Sequence, residues 1–246
     1  MKKEKVASMI DHTLLSQTAG IRDVMRLCNE AKKYKFCSVC VNPYFVAACK
    51  NELSGSNVKV CTVIGFPLGQ TTTQCKIYEA VNAIHNGADE IDMVINVGSA
   101  RECRFNDIEL DIKAVCDACR EAGNVLNKKI IVKVILETCF LDDATIVTCC
   151  QCAKKAGADF VKTSTGFAVP KGLDGQLLPN GASNHHVEVM RKAVGKDFGV
   201  KASGGIRSAR ACAGLLSSGA NRIGTSSGIQ IIETWDESVK IKGYDD

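Results

Sequence analysis

The sequence lacks the features of a membrane protein or of a nucleic-acid-binding protein. No apolar run approaches the ~18 residues that a membrane-spanning helix needs. The formal net charge is only +4, and like charges do not gather in long blocks, which argues against nucleic acid as a main partner. The apolar stretch behind the charged N-terminus runs only from Val6 to Ile10. A secretory signal needs a longer stretch, so we expect a cytoplasmic protein that binds neither membrane nor nucleic acid.

Breaks in composition are also missing. The 246 residues contain no linker and no low-complexity tract, so we expect one domain spanning residues 1–246. Hydrophobic residues make up 46% of the chain, and a chain of this length should bury roughly 70–75% of its unfolded surface. These values fit one large α/β domain.

Cysteine is plentiful, but its spacing excludes the usual reasons for abundance. Fourteen cysteines in a chain this long are too sparse and too irregular for a disulfide scaffold. Three C-x-x-C spacings occur, at Cys37/Cys40, Cys116/Cys119 and Cys149/Cys152. The first lies in a strand-like run, where residues three apart face opposite sides, and the other two lie on helix-like faces with no histidine nearby. We therefore predict no metal site, and cysteines that act as small hydrophobic residues in a reducing compartment.

One pattern recurs along the chain: a helix-like segment ends at a glycine, and a strand-like run begins two or three residues later. It occurs at Gly87, Gly157 and Gly219. Glycine is typical just past a helix C-terminus, so the pattern marks junctions between repeated β-α units. The segments with strand character are Met9–Leu14, Phe36–Val41, Lys59–Gly65, Glu90–Asn96, Lys129–Glu137, Phe160–Ser164, Gly199–Ser203 and Asn221–Gly224.

Helical periodicity fills the intervals between these eight strands, with apolar faces in 21–31, 77–84 and 108–119 and further helices over about 142–156, 184–194 and 208–218. Eight strands alternating with helices in this length predict a (β/α)₈ TIM barrel. An open doubly wound sheet is the alternative.

Charged residues interrupt four of the apolar strands: Asp92, Lys133, Lys162 and Lys201. Side chains of a barrel strand alternate between the interior and the helix layer, and a charge in the helix layer would be unpaired. We therefore expect these side chains to point inward and meet, so that an acid and several amines form a coupled cluster. The alternative is a purely structural ion-pair core, although three lysines balance one aspartate poorly.

Lys162 stands out because a flexible, hydroxyl-rich segment, Thr163–Gly166, follows it directly. Burial and like-charge repulsion favour a neutral amine, and a neutral buried amine attacks carbonyls to form a Schiff base. Asp92 would then move protons. The alternative is a lysine on an edge strand that reaches solvent.

Two Gly/Ser-rich segments, Ser203–Arg207 and Gly224–Gly228, follow the last two strands and lead into helices. Backbone N–H groups at helix starts bind phosphate, and barrels often hold phosphate after strands seven and eight. A phosphorylated aldehyde or ketone beside an amine indicates carbon–carbon bond cleavage or formation through an imine. The protonated imine is the electron sink, so no metal or other cofactor is required, and no cluster of histidines and carboxylates suits a catalytic metal.

Eight segments carry specific motifs in a characteristic order: Ile10–Leu15, Val39–Pro43, Val63–Gly69, Glu90–Asn96, Val132–Thr138, Phe160–Phe167, Lys201–Arg207 and Arg222–Ser227. In these segments, which extend over nearly the whole chain, the sequence resembles the deoxyribose-phosphate aldolase family. The resemblance implies a class I aldolase, a lyase that reversibly cleaves 2-deoxy-D-ribose 5-phosphate to D-glyceraldehyde 3-phosphate and acetaldehyde.

The resemblance also implies catalytic roles. Lys162 would be the Schiff-base nucleophile, and Lys201 would hold it neutral. Asp92 would be the general acid/base, acting through a water, and Lys133 would belong to the same relay.

For substrate binding, the resemblance implies that Asp11 and Thr13 contact sugar hydroxyls. Cys40 would lie near the acetaldehyde pocket, although an inert core cysteine fits the sequence as well. The implied phosphate ligands are Gly204, Gly205, Ser226 and Ser227, supported by Thr165, Gly166 and Gly224. The partner is then a small phosphorylated sugar, and association into a homo-oligomer stays open.

Three positions qualify the resemblance. The segment Ala168–Ser183 is longer than in compact family members, and Phe167 stands where some members carry a basic residue near the phosphate, so phosphate affinity or access could differ. In some members a C-terminal tyrosine assists proton transfer; here Tyr244 is near the end of the sequence but is followed by Asp245 and Asp246, so its part in proton transfer stays open. Two other functions remain open: an imine-forming aldolase for another sugar phosphate, and a non-catalytic sugar-phosphate sensor.

Overall fold

The apolar runs of the sequence become the eight strands of a closed parallel barrel in the computed structural model, which describes residues 1–244. The strands are β1 Ile10–Leu14, β2 Ser38–Val41, β3 Lys59–Ile64, β4 Glu90–Val94, β5 Ile131–Ile135, β6 Phe160–Lys162, β7 Gly199–Ser203 and β8 Arg222–Thr225. Each strand pairs with its neighbour in chain order, and β8 closes onto β1. The structure therefore confirms the (β/α)₈ barrel and rules out the open sheet, which would leave two strand edges unpaired.

Helices lie between the strands. They are α1 Lys3–Ala7, α2 Ile21–Tyr34, α3 Val46–Glu52, α4 Thr73–His85, α5 Val97–Arg101, α6 Phe105–Val125, α7 Asp143–Lys155, α8 Asn184–Val194, α9 Ala209–Ser217 and α10 Gly228–Glu233, with 3₁₀ turns at Pro43–Phe45 and Thr138–Phe140. The six helical segments that the apolar periodicity predicts all form. The periodicity does not detect α1, α3, α5 and α10, because helices of five to seven residues are too short to show a repeat.

Local sequence determines where the longer helices begin and end. Side-chain oxygens of Asp142 and Ser183 accept hydrogen bonds from backbone N–H groups in the first turns of α7 and α8. At the other end, Gly87, Gly157 and Gly219 adopt positive φ angles of 109°, 89° and 109°, which the missing Cβ makes inexpensive. The predicted β-α junctions are therefore the turns that return the chain to the sheet.

The barrel has two buried regions of different composition, one between the sheet and the helices and one inside the sheet. The space between sheet and helices is apolar and includes most of the cysteines: all fourteen are free thiols and ten are buried, which confirms their part as small hydrophobic residues. The inside of the barrel carries charged side chains instead. Within residues 1–244, no helix is both long enough and apolar enough to cross a membrane.

Candidate active site

Four charged side chains meet inside the barrel. Asp92 and Lys133 are directly paired across β4 and β5, and Lys162 and Lys201 across β6 and β7, so alternation turns all four inward. Asp92 Oδ2 lies 2.8 Å from Lys162 Nζ and 2.8 Å from Lys201 Nζ, while Asp92 Oδ1 lies 2.7 Å from Lys133 Nζ. All four side chains are buried. One carboxylate thus contacts three amines.

A deeper layer of charges completes this cluster. Asp11 Oδ2 lies 2.5 Å from Lys201 Nζ, and Glu90 Oε2 lies 2.6 Å from Lys133 Nζ. Arg222 Nη1 contacts both acids, at 2.8 Å from Asp11 and 2.9 Å from Glu90. The sequence analysis overlooked Glu90 and Arg222 as site residues, although each lies two positions before another inward-facing residue, Asp92 and Gly224. Four basic side chains and three carboxylates therefore form the cluster, and its charges are far better balanced than three lysines and one aspartate.

The electrostatics fix the protonation of most of these groups. Burial alone would raise the pKa of Asp92, but Lys133, Lys162 and Lys201 outweigh it, and the pKa lies well below the ordinary value. Burial alone would also raise the pKa of Asp11, but the positive charges of Arg222 and Lys201 outweigh burial and lower this pKa strongly. At neutral pH both carboxylates are ionised.

The two deeper lysines respond in the opposite direction. Burial would lower the pKa of Lys133, but Asp92 and other acidic neighbours raise it well above the ordinary value. The pKa of Lys201 is likewise raised, because Asp11 and Asp92 outweigh its burial. Both amines are therefore protonated at neutral pH and act as fixed positive charges.

A cavity of about 450 Å³ opens at the C-terminal end of the strands and reaches this cluster through one lysine. We call it the Lys162 cavity. Of the three clustered lysines, Lys162 alone lines it, and Asp92 lies just behind. The predicted binding residues that line it are Thr13, Thr165, Gly166, Gly204, Gly205, Gly224 and Ser226. A ligand in this cavity can contact the amine of Lys162 but not those of Lys133 or Lys201.

The loop after β7 exposes backbone to the Lys162 cavity. Gly204 and Gly205 have φ angles of 91° and 76°, a region that favours glycine. A Cβ on Gly204 would lie 2.8 Å from Gly181 Cα, and Ala182 N donates to Gly204 O at 3.1 Å. The long segment Ala168–Ser183 therefore folds back against this loop and supports it.

The three other predicted binding residues lie away from the Lys162 cavity. Asp11 is fully buried and hydrogen-bonded by Ser38 Oγ, so it sits beneath the cavity as part of the charge cluster rather than beside a sugar hydroxyl. Cys40 is fully buried beside Cys61, and its Sγ lies within 4.8 Å of an Asp92 carboxylate oxygen, so it sits beside the charge cluster beneath the cavity. Ser227 lines a neighbouring cavity, and its N–H donates to Thr225 Oγ1 at 2.9 Å.

Tyr244 lies at the other end of the barrel. Its hydroxyl donates to Ala220 O at 3.3 Å, and Ala220 precedes β8, whereas Lys162 is reached from the ends of the strands. In this arrangement Tyr244 cannot exchange a proton with Lys162. Asp245 and Asp246, which follow it, lie outside the described residues.

Glu137 is a buried acid that the sequence analysis did not select. It follows β5 with φ 55° and ψ 59°, a left-handed conformation that is uncommon for a residue with a side chain. Both carboxylate oxygens lie 3.2 Å from Thr165 N, and one also accepts from Thr165 Oγ1. Burial raises the pKa of Glu137, although Thr165 and Lys162 partly offset this. Its position directly after an inward-facing strand was the available signal.

Among residues 1–244, two groups of three buried side chains have the spacing of metal ligands: Cys40, Cys61 and Asp92, and Asp11, Cys61 and Glu90. Lys133 Nζ lies between them, at 3.2 Å from Cys61 Sγ, 2.7 Å from Asp92 and 2.6 Å from Glu90. An ammonium group therefore already supplies positive charge at this point.

The fold and the site together define a barrel enzyme with one ligand-accessible lysine, backed by a carboxylate and two fixed ammonium groups. Such a site suits the formation of an imine with a carbonyl substrate. Residues 5–232 match the model of the DeoC/LacD family aldolases, and the chain belongs to this family.

Individual relatives agree over nearly the full length. The chain is 47% identical over 232 residues to a deoxyribose-phosphate aldolase of Thermoanaerobacter sp. (strain X514), covering 94% of this chain and 97% of that relative. It is 49% identical over 231 residues to one from Geobacillus sp. (strain WCH70), covering 94% and 96%.

Solved structures are also similar to this chain over nearly its full length. A putative deoxyribose-phosphate aldolase from Coccidioides immitis superposes with a TM-score of 0.84 at 40% identity, covering 95% of this chain and 86% of that one. A deoxyribose phosphate aldolase from Aeropyrum pernix, described as a unique tetrameric structure, gives a TM-score of 0.84 at 33% identity, covering 97% and 94%.

Proposed function

We propose that this aldolase reversibly cleaves 2-deoxy-D-ribose 5-phosphate to D-glyceraldehyde 3-phosphate and acetaldehyde, with Lys162 as the Schiff-base nucleophile. One observation carries the proposal: of three clustered lysines, Lys162 alone lines a cavity that also contains the glycine-rich loops after β7 and β8. The names of the relatives supply the substrate.

The contacts of the other charges support Lys162 as the nucleophile. The cations Lys133, Lys201 and Arg222 contact the carboxylates of Asp11, Glu90 and Asp92 at 2.5–2.9 Å, so each of these carboxylates has a partner besides Lys162. Lys162 can therefore bond to a ligand without leaving a buried carboxylate unpaired.

The reaction then proceeds in three stages: imine formation, cleavage of the C2–C3 bond, and release of acetaldehyde. Lys162 Nζ adds to C1 of the open-chain sugar, and loss of water leaves a protonated imine. Removal of the proton from the C3 hydroxyl breaks the C2–C3 bond, the electron pair moves to the imine nitrogen, and D-glyceraldehyde 3-phosphate leaves. Protonation of the enamine at C2 and hydrolysis release acetaldehyde. Asp92 Oδ2, 2.8 Å from Lys162 Nζ, is placed to accept and return protons at the nitrogen and carbinolamine.

The mouth of the cavity supplies the phosphate contacts. Gly204, Gly205 and Ser226 present backbone there, and Arg207 adds a positive charge to the same lining. Arg207 offers a phosphate contact that does not depend on position 167, where this chain has Phe167.

The test is mass spectrometry after borohydride reduction with 2-deoxy-D-ribose 5-phosphate, on wild type and Lys162→Ala in parallel. We expect an adduct that maps to Lys162 in the wild type and is absent from the variant. If the folded wild type gives no adduct, the proposed cleavage of 2-deoxy-D-ribose 5-phosphate is contradicted. Adducts with other sugar phosphates alone would indicate a different aldehyde, and binding without any adduct would indicate a sensor.

We also infer a homo-oligomer in a reducing cytoplasm. The tetrameric relative from Aeropyrum pernix supports the first point, and fourteen unpaired thiols support the second. Sedimentation-velocity analysis of the purified protein tests the oligomer: a single monomeric species across micromolar concentrations would contradict it.

A further inference from the structure

A second cavity opens at the same end of the barrel, directly beside the Lys162 cavity. It has a volume of about 560 Å³, and its walls come from the loops after β3, β4, β5 and β6. Thr165 and Phe167 line both cavities. The Phe167 ring also meets Phe66 edge-on, with ring centroids 5.3 Å apart. The barrel mouth is therefore divided in two by an aromatic side chain with a cavity on each side.

The walls of the second cavity are apolar and open to solvent. Leu68 is 75% exposed and Val169 is 62% exposed, and Phe140 and Phe167 are more than one-third exposed. All four line this cavity. A single exposed apolar side chain is ordinary, but several around one concave surface mark a place where an apolar group binds.

One cation lies at this cavity without an ion partner. Arg101, at the end of α5, lines the cavity, is exposed and forms no ion pair within residues 1–244. Gln70 also lines the cavity, where its amide lies near Gly98 in α5, and it has no hydrogen-bond partner within residues 1–244. Glu137 also borders the cavity, but its carboxylate is held by Thr165. We call this space the Arg101 cavity.

We propose that the Arg101 cavity is a second substrate subsite of the same active centre, which takes the anionic end of a short aldehyde carrying a carboxylate. The aldehyde carbon would react at Lys162, and the chain would pass Thr165 and Phe167 into the Arg101 cavity. A planar guanidinium matches a carboxylate, and the Gln70 amide in the same lining offers a further hydrogen-bond donor. This inference rests on the proposed function, because it requires Lys162 to form the imine.

The subsite differs from the phosphate loops in the chemistry it offers. The Lys162 cavity presents glycine backbone on the β7 and β8 side, whereas the Arg101 cavity presents apolar side chains and one guanidinium on the β3 to β6 side. The covalent step is the same in both cases: the amine adds to the aldehyde, water leaves, and a protonated imine forms. A carboxylated aldehyde would therefore compete for Lys162 without needing the phosphate contacts.

The experiment measures initial rates of borohydride trapping on Lys162 with 4-oxobutanoate and 6-oxohexanoate, against the uncharged butanal and hexanal. Hydride reduces each imine to a secondary amine, which mass spectrometry counts and maps. At low ionic strength, we expect the wild type to trap at least one oxo acid about tenfold faster than its uncharged counterpart, as one charge-assisted contact allows. In Arg101→Met this preference should vanish.

The matched control is Arg104→Met, which removes a charge three residues away whose side chain pairs with Asp107 outside the cavity. It should keep the wild-type preference. Equal trapping of charged and uncharged aldehydes by wild type, or an unchanged preference in Arg101→Met, would overturn the subsite. So would an equal loss of deoxyribose 5-phosphate cleavage in Arg101→Met, because Arg101 would then serve the sugar phosphate. Failure of the proposed function looks different: wild type then gives no adduct with deoxyribose 5-phosphate.

Discussion

The interior and the mouth of this barrel differ in the residues that form them: the interior holds buried charged side chains, and the mouth holds mainly glycine backbone and apolar side chains. In the interior, Asp11, Glu90 and Asp92 are surrounded by ammonium and guanidinium groups at 2.5–2.9 Å, and no side chain of the cluster is freely exposed. The mouth consists of glycine backbone, exposed apolar side chains and two cations, Arg101 and Arg207. Lys162 is the one residue that belongs to both regions.

This difference separates two tasks. The interior holds fixed charges around the amine of Lys162, and a substitution there breaks buried ion pairs. The mouth makes few internal contacts and so can change with the substrate. We therefore expect interior substitutions to affect rate and stability, and mouth substitutions to affect substrate affinity. The following substitutions test that separation.

The largest effect should come from Lys162→Met, which removes the nucleophile but keeps the volume. We expect kcat for deoxyribose 5-phosphate cleavage to fall by about 10⁴-fold or more, since covalent catalysis has no substitute nucleophile in the Lys162 cavity. Coupled measurement of D-glyceraldehyde 3-phosphate gives the rate. A variant that keeps more than a tenth of the wild-type rate would show that the amine of Lys162 is not the nucleophile.

Stability should distinguish Lys201→Met from Lys162→Met. Lys201→Met breaks two buried ion pairs at once, one with Asp11 and one with Asp92, although Arg222 and Lys133 still contact these acids. Since breaking a buried pair costs about 3–5 kcal/mol of unfolding free energy, we expect a loss of about 3 kcal/mol. Lys162→Met conserves volume and leaves Asp92 in contact with both Lys133 and Lys201, so its cost should stay within about 1.5 kcal/mol. Urea unfolding of both variants measures the difference. Equal losses would show that the contact of Lys162 with Asp92 stabilises the fold as much as the two ion pairs of Lys201, against this prediction.

The sequence is enough to predict the barrel and the inward-facing lysines, because both follow from alternation along strands. Eight apolar runs separated by helical periodicity fix the topology, and a charge inside such a run has only the interior to occupy. The four charged residues selected on this argument are the four that meet.

Contacts between distant strands are what the sequence does not reveal. Asp11 matches a sugar-binding motif, yet its partners Lys201 and Arg222 lie about 190 residues or more away, and only the closure of β8 onto β1 brings them together. Glu137 is hidden for a related reason, because its left-handed backbone directs the carboxylate to Thr165 on the next loop. Short helices such as α5, which carries Arg101, contain too few residues to show a helical period in the sequence.

Acid should destabilise the fold through the carboxylates of the interior. Asp11 and Asp92 have strongly lowered pKa values in the folded chain, so each stabilises the fold above its unfolded pKa of about 4 and loses that contribution as the pH falls below it. We expect the free energy of unfolding to drop by more than about 2 kcal/mol between pH 5 and pH 3. Urea unfolding across this range tests it, and Asp11→Asn should show a shallower drop. A wild-type curve that is flat in this window would contradict the strength of the ion pairs.

The smallest effect should appear in the mouth, where Gly204 and Gly205 provide a matched pair. A Cβ on Gly204 would lie 2.8 Å from Gly181 Cα, whereas one on Gly205 meets nothing within 4 Å, and both residues have positive φ. Gly205→Ala therefore carries backbone strain of about 1 kcal/mol, and Gly204→Ala adds displacement of the supporting segment. We expect KM for deoxyribose 5-phosphate to rise several-fold in Gly205→Ala and about tenfold or more in Gly204→Ala, with kcat nearly unchanged. Unphosphorylated 2-deoxyribose distinguishes the causes: if its KM rises by the same factors, the two glycines shape the cavity as a whole and do not bind the phosphate.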